Sequence, residues 1–88
     1  MARYEVALKA SVLKDLGRLS ADDRHRCIAA LYALADDPRP HGCEKLSAQE
    51  RFRVRVGVLR IVYEVRDAQL VVWVVKVGHR RDVYRRKG

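Results

Sequence analysis

The stretch RFRVRVGVLRIVYEVR, residues 51–66, decides the fold, because polar and apolar residues alternate through most of its length. Consecutive side chains of a β-strand point to opposite faces, so this period of two predicts two half-buried strands joined at Gly57, which permits a turn or bulge. The predicted apolar face carries Phe52, Val54, Val56, Leu59, Ile61, Tyr63 and Val65. The opposite, unusually cationic face carries Arg51, Arg53, Arg55, Arg60, Val62 and Glu64.

Downstream of these strands the sequence predicts one more strand and a basic tail. The polar RDAQ, residues 66–69, predicts a hairpin turn, and LVVWVVKV, residues 70–77, is apolar on both faces, as is typical of a central strand. Trp73 lies among valines in the middle of this strand, so we expect its ring to fill the core. We likewise expect core or interface positions for Tyr4, Tyr32 and Tyr63.

The first 35 residues predict a strand followed by two helices. A weak alternation predicts the strand over Arg3–Leu8. The first helix has an apolar stripe and a polar side: Val12, Leu16 and Leu19, with Leu13 alongside, form the stripe, and Lys14, Asp15 and Arg18 point away. Ser20 is the predicted N-cap of the second helix, which extends to about Ala35. Its predicted buried face carries Cys27, Leu31 and Leu34, flanked by Ile28 and Ala35.

This order of elements, β-α-α-β-β-β with a short basic C-terminal tail, predicts the α+β class. We expect a helical hairpin packed on a small, mainly antiparallel sheet. The length of 88 residues predicts a single domain over residues 1–88.

Composition and charge narrow the classes of function. The formal net charge is +8 and the sequence pI is about 10.1, which favours an anionic partner such as nucleic acid. No apolar run is long enough for a signal peptide or a membrane span, and two unpaired cysteines fit a reducing compartment, so we expect a cytoplasmic protein without membrane association. Neither cysteine stands in a cluster with metal-ligand spacing, so no metal or other cofactor is expected.

Five side chains would meet on the cationic face if the strands pair as hairpins. They are Arg53, Arg55, Arg60, Arg80 and Tyr84. Guanidinium groups bind phosphate through a planar fork of donors and stay charged at neutral pH, and nearby cations lower the pKa of a phenol. Such a patch can bind RNA and could cleave it by 2′-hydroxyl attack on the adjacent phosphate. The alternative is a solvated strand face with weak ion pairs to partners such as Glu64.

The segment ERFRVRVGVLRIVYEVRDAQLVVWVVKVGHRRDVY, residues 50–84, resembles the RelE/ParE toxin superfamily of type II toxin–antitoxin systems. The motifs are the basic strand, then RIVY, then VGHR, then VY, together with the earlier Lys45–Leu46 and the helical hairpin. RelE-like members are ribosome-dependent endoribonucleases that cut mRNA, whereas ParE-like members inhibit DNA gyrase.

The resemblance to RelE implies a role for each of the five side chains. Arg53 and Arg55 stand where RelE has lysines, Arg60 and Arg80 match its arginines, and Tyr84 matches its tyrosine. Because arginine is a poor proton donor or acceptor, we expect Arg53 and Arg55 to hold phosphate, Tyr84 to act as the base, and His79 to be a candidate acid. Further RNA contacts are expected from Arg51, Arg81, Arg85, Arg86 and Lys87.

The sequence therefore predicts a metal-independent mRNA endoribonuclease that inhibits translation. The resemblance implies the ribosome and mRNA as partners, and a RelB-like or similar antitoxin in a complex that is expected to be oligomeric. Two alternatives stay open, since both family lysines are replaced. One is a gyrase inhibitor of the ParE kind, and the other is a basic RNA-binding relative without catalytic activity.

Overall fold

The computed structural model describes residues 3–46 and 50–79. Their elements, in chain order, are β1 (Glu5–Leu8), α1 (Ala10–Gly17), α2 (Ala21–Asp36), β2 (Glu44–Lys45), β3 (Arg51–Val56), β4 (Leu59–Arg66) and β5 (Val71–His79), with a 3₁₀ turn at Asp67–Gln69. The predicted α+β class is confirmed. The two-residue strand β2 was not predicted, so the observed order has one more strand than expected.

The five strands in residues 3–46 and 50–79 form one mixed sheet in the order β1-β5-β4-β3-β2. Among the described strands, β1 and β5 are the only parallel pair, and the other three pairs are antiparallel. The sheet is therefore mainly antiparallel, as expected, and its two longest strands lie in the interior. No helix within the described ranges is long and apolar enough to cross a membrane.

The core lies between the helices and one face of the sheet. The predicted apolar faces of β3, β4 and α2 are confirmed, since Phe52, Leu59, Ile61, Tyr63 and Val65 cluster with Cys27, Leu31 and Leu34. Ser20 caps α2 as predicted, because its hydroxyl accepts a hydrogen bond from the backbone amide of Asp23. The opposite face of the sheet, which carries the arginines of β3 and β4, is called the open face below.

Helix α1 corrects the predicted pattern at two positions. Leu13 is 60% exposed, whereas Asp15, which was expected to point to solvent, is buried. The cause is the short β1, whose pairing with β5 ends near Val74, so that α1 lies along the next part of the β5 edge. There the Asp15 carboxylate accepts a hydrogen bond from the backbone amide of Val77 at 3.3 Å. A buried carboxylate thus satisfies a strand amide that lacks a strand partner.

A bulge in β5 sets the face on which Trp73 lies. Val62 is paired with Lys76, but the next residue, Tyr63, is paired with Val74, so β5 has one extra residue at Val75. This register places Trp73 opposite Glu64 on the open face. The expectation that its ring fills the core was wrong, because the helices cover only the other side of the strand.

Candidate functional site: the cationic open face

The centre of the open face is a pair of arginines on adjacent strands. Arg55 of β3 lies directly opposite Arg60 of β4, and Arg60 in turn lies opposite Gly78 of β5. The two-residue turn after Val56 fixes this register, and Gly57 at its first position has the positive φ (61°) that a tight hairpin requires. Like charges directly opposite each other destabilise a sheet, so the pair is not explained by stability.

Arg60 is an unusual cation because it is buried, with 7% of its surface exposed. Its side chain donates one weak hydrogen bond, at 3.4 Å, to the carbonyl oxygen of Leu59. Within the described ranges neither Arg60 nor the exposed Arg55 forms an ion pair with a carboxylate. A buried guanidinium that has no carboxylate partner among the described residues favours the binding of an anion, because folding has already removed most of its water.

The other two arginines of β3 are held by carboxylates. Arg53 pairs with Glu44 of β2, and its side chain is only 13% exposed. Arg51 pairs with Glu64, the residue opposite it on β4. The hydrogen bond from Arg51 lowers the pKa of Glu64, although partial burial opposes the effect. Glu44 was not identified from the sequence, because the short β2 gives no recognisable pattern.

A groove of about 590 Å³ lies on the open face, further along the strands from the arginine pair. It is lined by Lys9, Leu46, Arg51, Arg53, Val62, Glu64, Arg66, Trp73, Val75 and Lys76. The guanidinium carbon of Arg66 lies 5.6 Å from the centre of the Trp73 ring, which is a cation–π contact. Sequence reasoning missed this groove, since it assigned Trp73 to the core.

The other predicted site residues fall into two groups: His79, which the structure describes, and the residues of the C-terminal tail, which it does not. His79 lies opposite Leu59, so its side chain starts on the helix-covered side of the sheet, not beside Arg55 and Arg60. The structure therefore does not bring His79 to the arginine pair. The predictions for Arg80, Arg81, Tyr84, Arg85, Arg86 and Lys87 fall outside the described residues.

At the other end of the β3–β4 hairpin, an ion-pair cluster joins four parts of the chain. Arg39 donates hydrogen bonds to Asp67 and to Glu50, and the hydroxyl of Tyr4 donates a hydrogen bond to Asp67 at 2.6 Å. The Arg39 guanidinium, with Tyr4, holds the pKa of Asp67 at about 2. The cluster connects the residue before β1, the loop after α2, the residue before β3 and the turn after β4, and so helps to fix the strands that present the arginines.

The described ranges contain no group of three or more His, Cys, Asp or Glu side chains arranged to hold a metal ion. Cys27 is a free, buried thiol whose pKa is raised by burial, which is the behaviour of a packing residue. The charged groups on the described part of the open face are mainly arginines, which bind anions through their guanidinium donors.

The sequence and the α+β fold are similar to those of known proteins. The profile for the ParE toxin of type II toxin–antitoxin systems, parDE, matches residues 6–84. The chain belongs to this toxin family. It is also 29% identical over 86 residues to a RelE-like toxin protein of Escherichia coli, which covers 93% of this chain and 90% of that protein.

Solved structures of RelE toxins have the same fold. The RelBE2 toxin–antitoxin complex of Mycobacterium tuberculosis matches with a TM-score of 0.79 and 22% identity over 90% of this chain and all of the matched chain. The isolated RelE toxin of E. coli matches with a TM-score of 0.78 and 24% identity over 94% of this chain and 92% of that toxin. The family match confirms the predicted membership of the RelE/ParE superfamily, and the E. coli relative and the matched structures are RelE-like or RelE toxins. The protein is a toxin of a type II toxin–antitoxin system.

Proposed function

We propose that this toxin is a ribosome-dependent endoribonuclease that cleaves mRNA and so inhibits translation. The observation that carries the proposal is the pair of Arg55 and Arg60, two guanidiniums on opposed strand positions, one of them buried and without a carboxylate partner in the described ranges. A site of this kind stabilises the extra negative charge that a phosphate acquires as a 2′-hydroxyl attacks it.

The arginines bind and stabilise charge but do not move protons, since a guanidinium stays protonated at any working pH. Arg55 and Arg60 hold the scissile phosphate, and Arg53, which Glu44 positions, forms the next part of the cationic surface. The proposal assigns the base to Tyr84 and a further phosphate contact to Arg80, on the resemblance to RelE. It assigns no proton transfer to His79, because its strand position faces the other side of the sheet.

Ribosome dependence has a physical rationale in this proposal, because the described arginine pair binds phosphate but supplies neither an efficient acid nor an efficient base. Holding the 2′-hydroxyl, the phosphorus and the leaving oxygen in line removes much of the barrier by positioning alone. The ribosome would supply that positioning of the mRNA. The proposed regulator is an antitoxin, since the matched M. tuberculosis structure is a toxin–antitoxin complex.

Two observations favour a second candidate function. The family profile that matches the chain is that of ParE, and both RelE lysine positions carry arginine here. The alternative is that the same cationic face serves a toxin that inhibits DNA gyrase and cuts no RNA.

The test is a set of parallel reactions of the purified toxin with programmed ribosomes carrying a defined mRNA, with the free mRNA, and with gyrase and relaxed plasmid. We expect cleavage of ribosome-bound mRNA only, and a loss of cleavage in Arg60→Met and Tyr84→Phe. Arg26→Met is the matched control, because Arg26 is an exposed arginine of α2 outside the open face. Intact mRNA together with blocked supercoiling would replace the nuclease proposal with the gyrase one.

A further inference from the structure

Trp73 is an aromatic residue placed on a charged surface. It lies on the open face opposite Glu64, and its ring is half-buried rather than enclosed. Arg66 lies against the ring and also pairs with Glu64 at 3.1 Å. An indole at this position leaves apolar surface beside water, on the side of the sheet away from the main cluster of buried residues.

The charge of the surrounding groove identifies the kind of ligand that fits it. Of the ten described residues that line the groove, five are lysine or arginine, and Glu64 is the only carboxylate among these ten. Aromatic rings combined with a cationic groove are the means by which proteins bind single-stranded nucleic acid: bases stack on the rings and cations follow the backbone. Every base has a flat face, so this contact tolerates any sequence.

We propose that the groove is a nucleotide-binding subsite in which a base of the single-stranded RNA substrate stacks on Trp73, in place of the Arg66 guanidinium. This proposal rests on the nuclease function proposed above. Arg66 is exposed, so it can leave the ring and turn to the phosphate of the same nucleotide while Glu64 keeps its pairing with Arg51. The planar guanidinium occupies the position of the base in the free protein.

The subsite lies close enough to the arginine pair to serve the same RNA strand. Trp73 is opposite Glu64, which is four residues along β4 from Arg60, or about 13 Å from the strand rise. Both positions are on the open face. An RNA strand whose scissile phosphate lies at Arg55 and Arg60 would therefore extend along β4 and β5 and place a neighbouring base at Trp73.

Trp73 is the only tryptophan of the chain, so its fluorescence reports on the groove directly. The probe is a short single-stranded oligoribonucleotide with 2′-O-methyl groups, which cannot undergo 2′-hydroxyl attack. We expect saturable quenching of the tryptophan emission, with the same midpoint as the rise in anisotropy of a labelled copy. An abasic strand with the same backbone should bind through its phosphates without quenching.

Two variants of one position separate stacking from packing. Trp73→Leu should weaken binding of the oligoribonucleotide by roughly tenfold, and Trp73→Phe, which keeps a ring, by much less. Neither should change the salt dependence of binding, because neither removes a cation. Tyr32→Leu is the matched control, since Tyr32 is an exposed aromatic residue on α2.

Several results would overturn the subsite. Binding without quenching, or equal affinity of wild type and Trp73→Leu, would mean that no base stacks there. Quenching by an acidic peptide but not by RNA would assign the groove to a protein partner instead. If ribosome-bound mRNA is still cleaved at the wild-type rate by Trp73→Leu, the subsite fails while the nuclease function stands. If no mRNA is cleaved by the wild type, the nuclease function itself fails.

Discussion

The carboxylate of Asp15 lies 3.3 Å from the backbone nitrogen of Val77 and 3.5 Å from the Nζ of Lys76. A helix therefore completes the hydrogen bonding of β5 where β1 has ended. The contact also fixes the part of β5 that leads to Gly78, the neighbour of Arg60. Asp15 therefore contributes both to the stability of the sheet and to the position of the strand beside Arg60.

Asp15→Ala should destabilise the protein, because it leaves the amide of Val77 without its acceptor. The expected loss is about 1–3 kcal/mol of unfolding free energy. Asp15→Asn should lose less, since its amide oxygen can still accept the bond. Urea unfolding followed by circular dichroism measures both. Asp36→Ala is the control, because Asp36 is exposed and 3.6 Å from Arg3, so its loss should be small. Equal losses for the two alanine variants would contradict the role given to Asp15.

Arg60→Met should stabilise the fold and abolish the proposed cleavage of mRNA. Methionine keeps the length of the side chain but removes a buried charge that faces Arg55. We expect the unfolding free energy to rise by about 1 kcal/mol. The matched control is Arg51→Met on the same face, which breaks the pair with Glu64 and should not stabilise. A loss of stability in Arg60→Met would mean that the guanidinium has a structural partner.

The alternation of residues 51–66 was sufficient to predict the two faces of β3 and β4, because alternate residues of a strand point to opposite faces of the sheet. The tight turn at Gly57 then determines that Arg55 meets Arg60. This part of the candidate site was accessible from sequence since it depends on neighbouring strands joined by a short loop.

The sequence-based predictions were wrong where the position of a side chain depends on contacts between residues that are distant in sequence. Whether Asp15 is buried depends on where β1 stops along β5, and no local pattern reports that position. Trp73 looked like a core residue because LVVWVVKV is apolar on both faces, yet the bulge at Val75 and the one-sided helical layer place it on the open face. Glu44 was missed because two residues show no periodicity.

The ion-pair cluster around Asp67 should make the protein sensitive to acid. The pKa of Asp67 in the folded state is about 2, below its usual value of 3.8, because of its hydrogen bonds with Arg39 and Tyr4. Its contribution to stability is therefore present above about pH 4 and is lost as the pH falls towards 2. Urea unfolding measured across this range should show a steeper fall for the wild type than for Asp67→Asn. Parallel curves would show that Asp67 is unpaired in solution, and Asp36→Asn should leave the slope unchanged.

Arg55→Ala should change how RNA binding responds to salt. Arg55 is exposed and has no ion pair within the described ranges, so we expect it to contact phosphate directly. Removing one phosphate contact to a single strand should reduce the slope of log K against log salt concentration by about 0.7. Anisotropy titrations of a 2′-O-methyl oligoribonucleotide at several potassium chloride concentrations measure this slope. Arg26→Ala, on α2 away from the open face, is the control and should keep the wild-type slope. An unchanged slope in Arg55→Ala would place the RNA elsewhere on the protein.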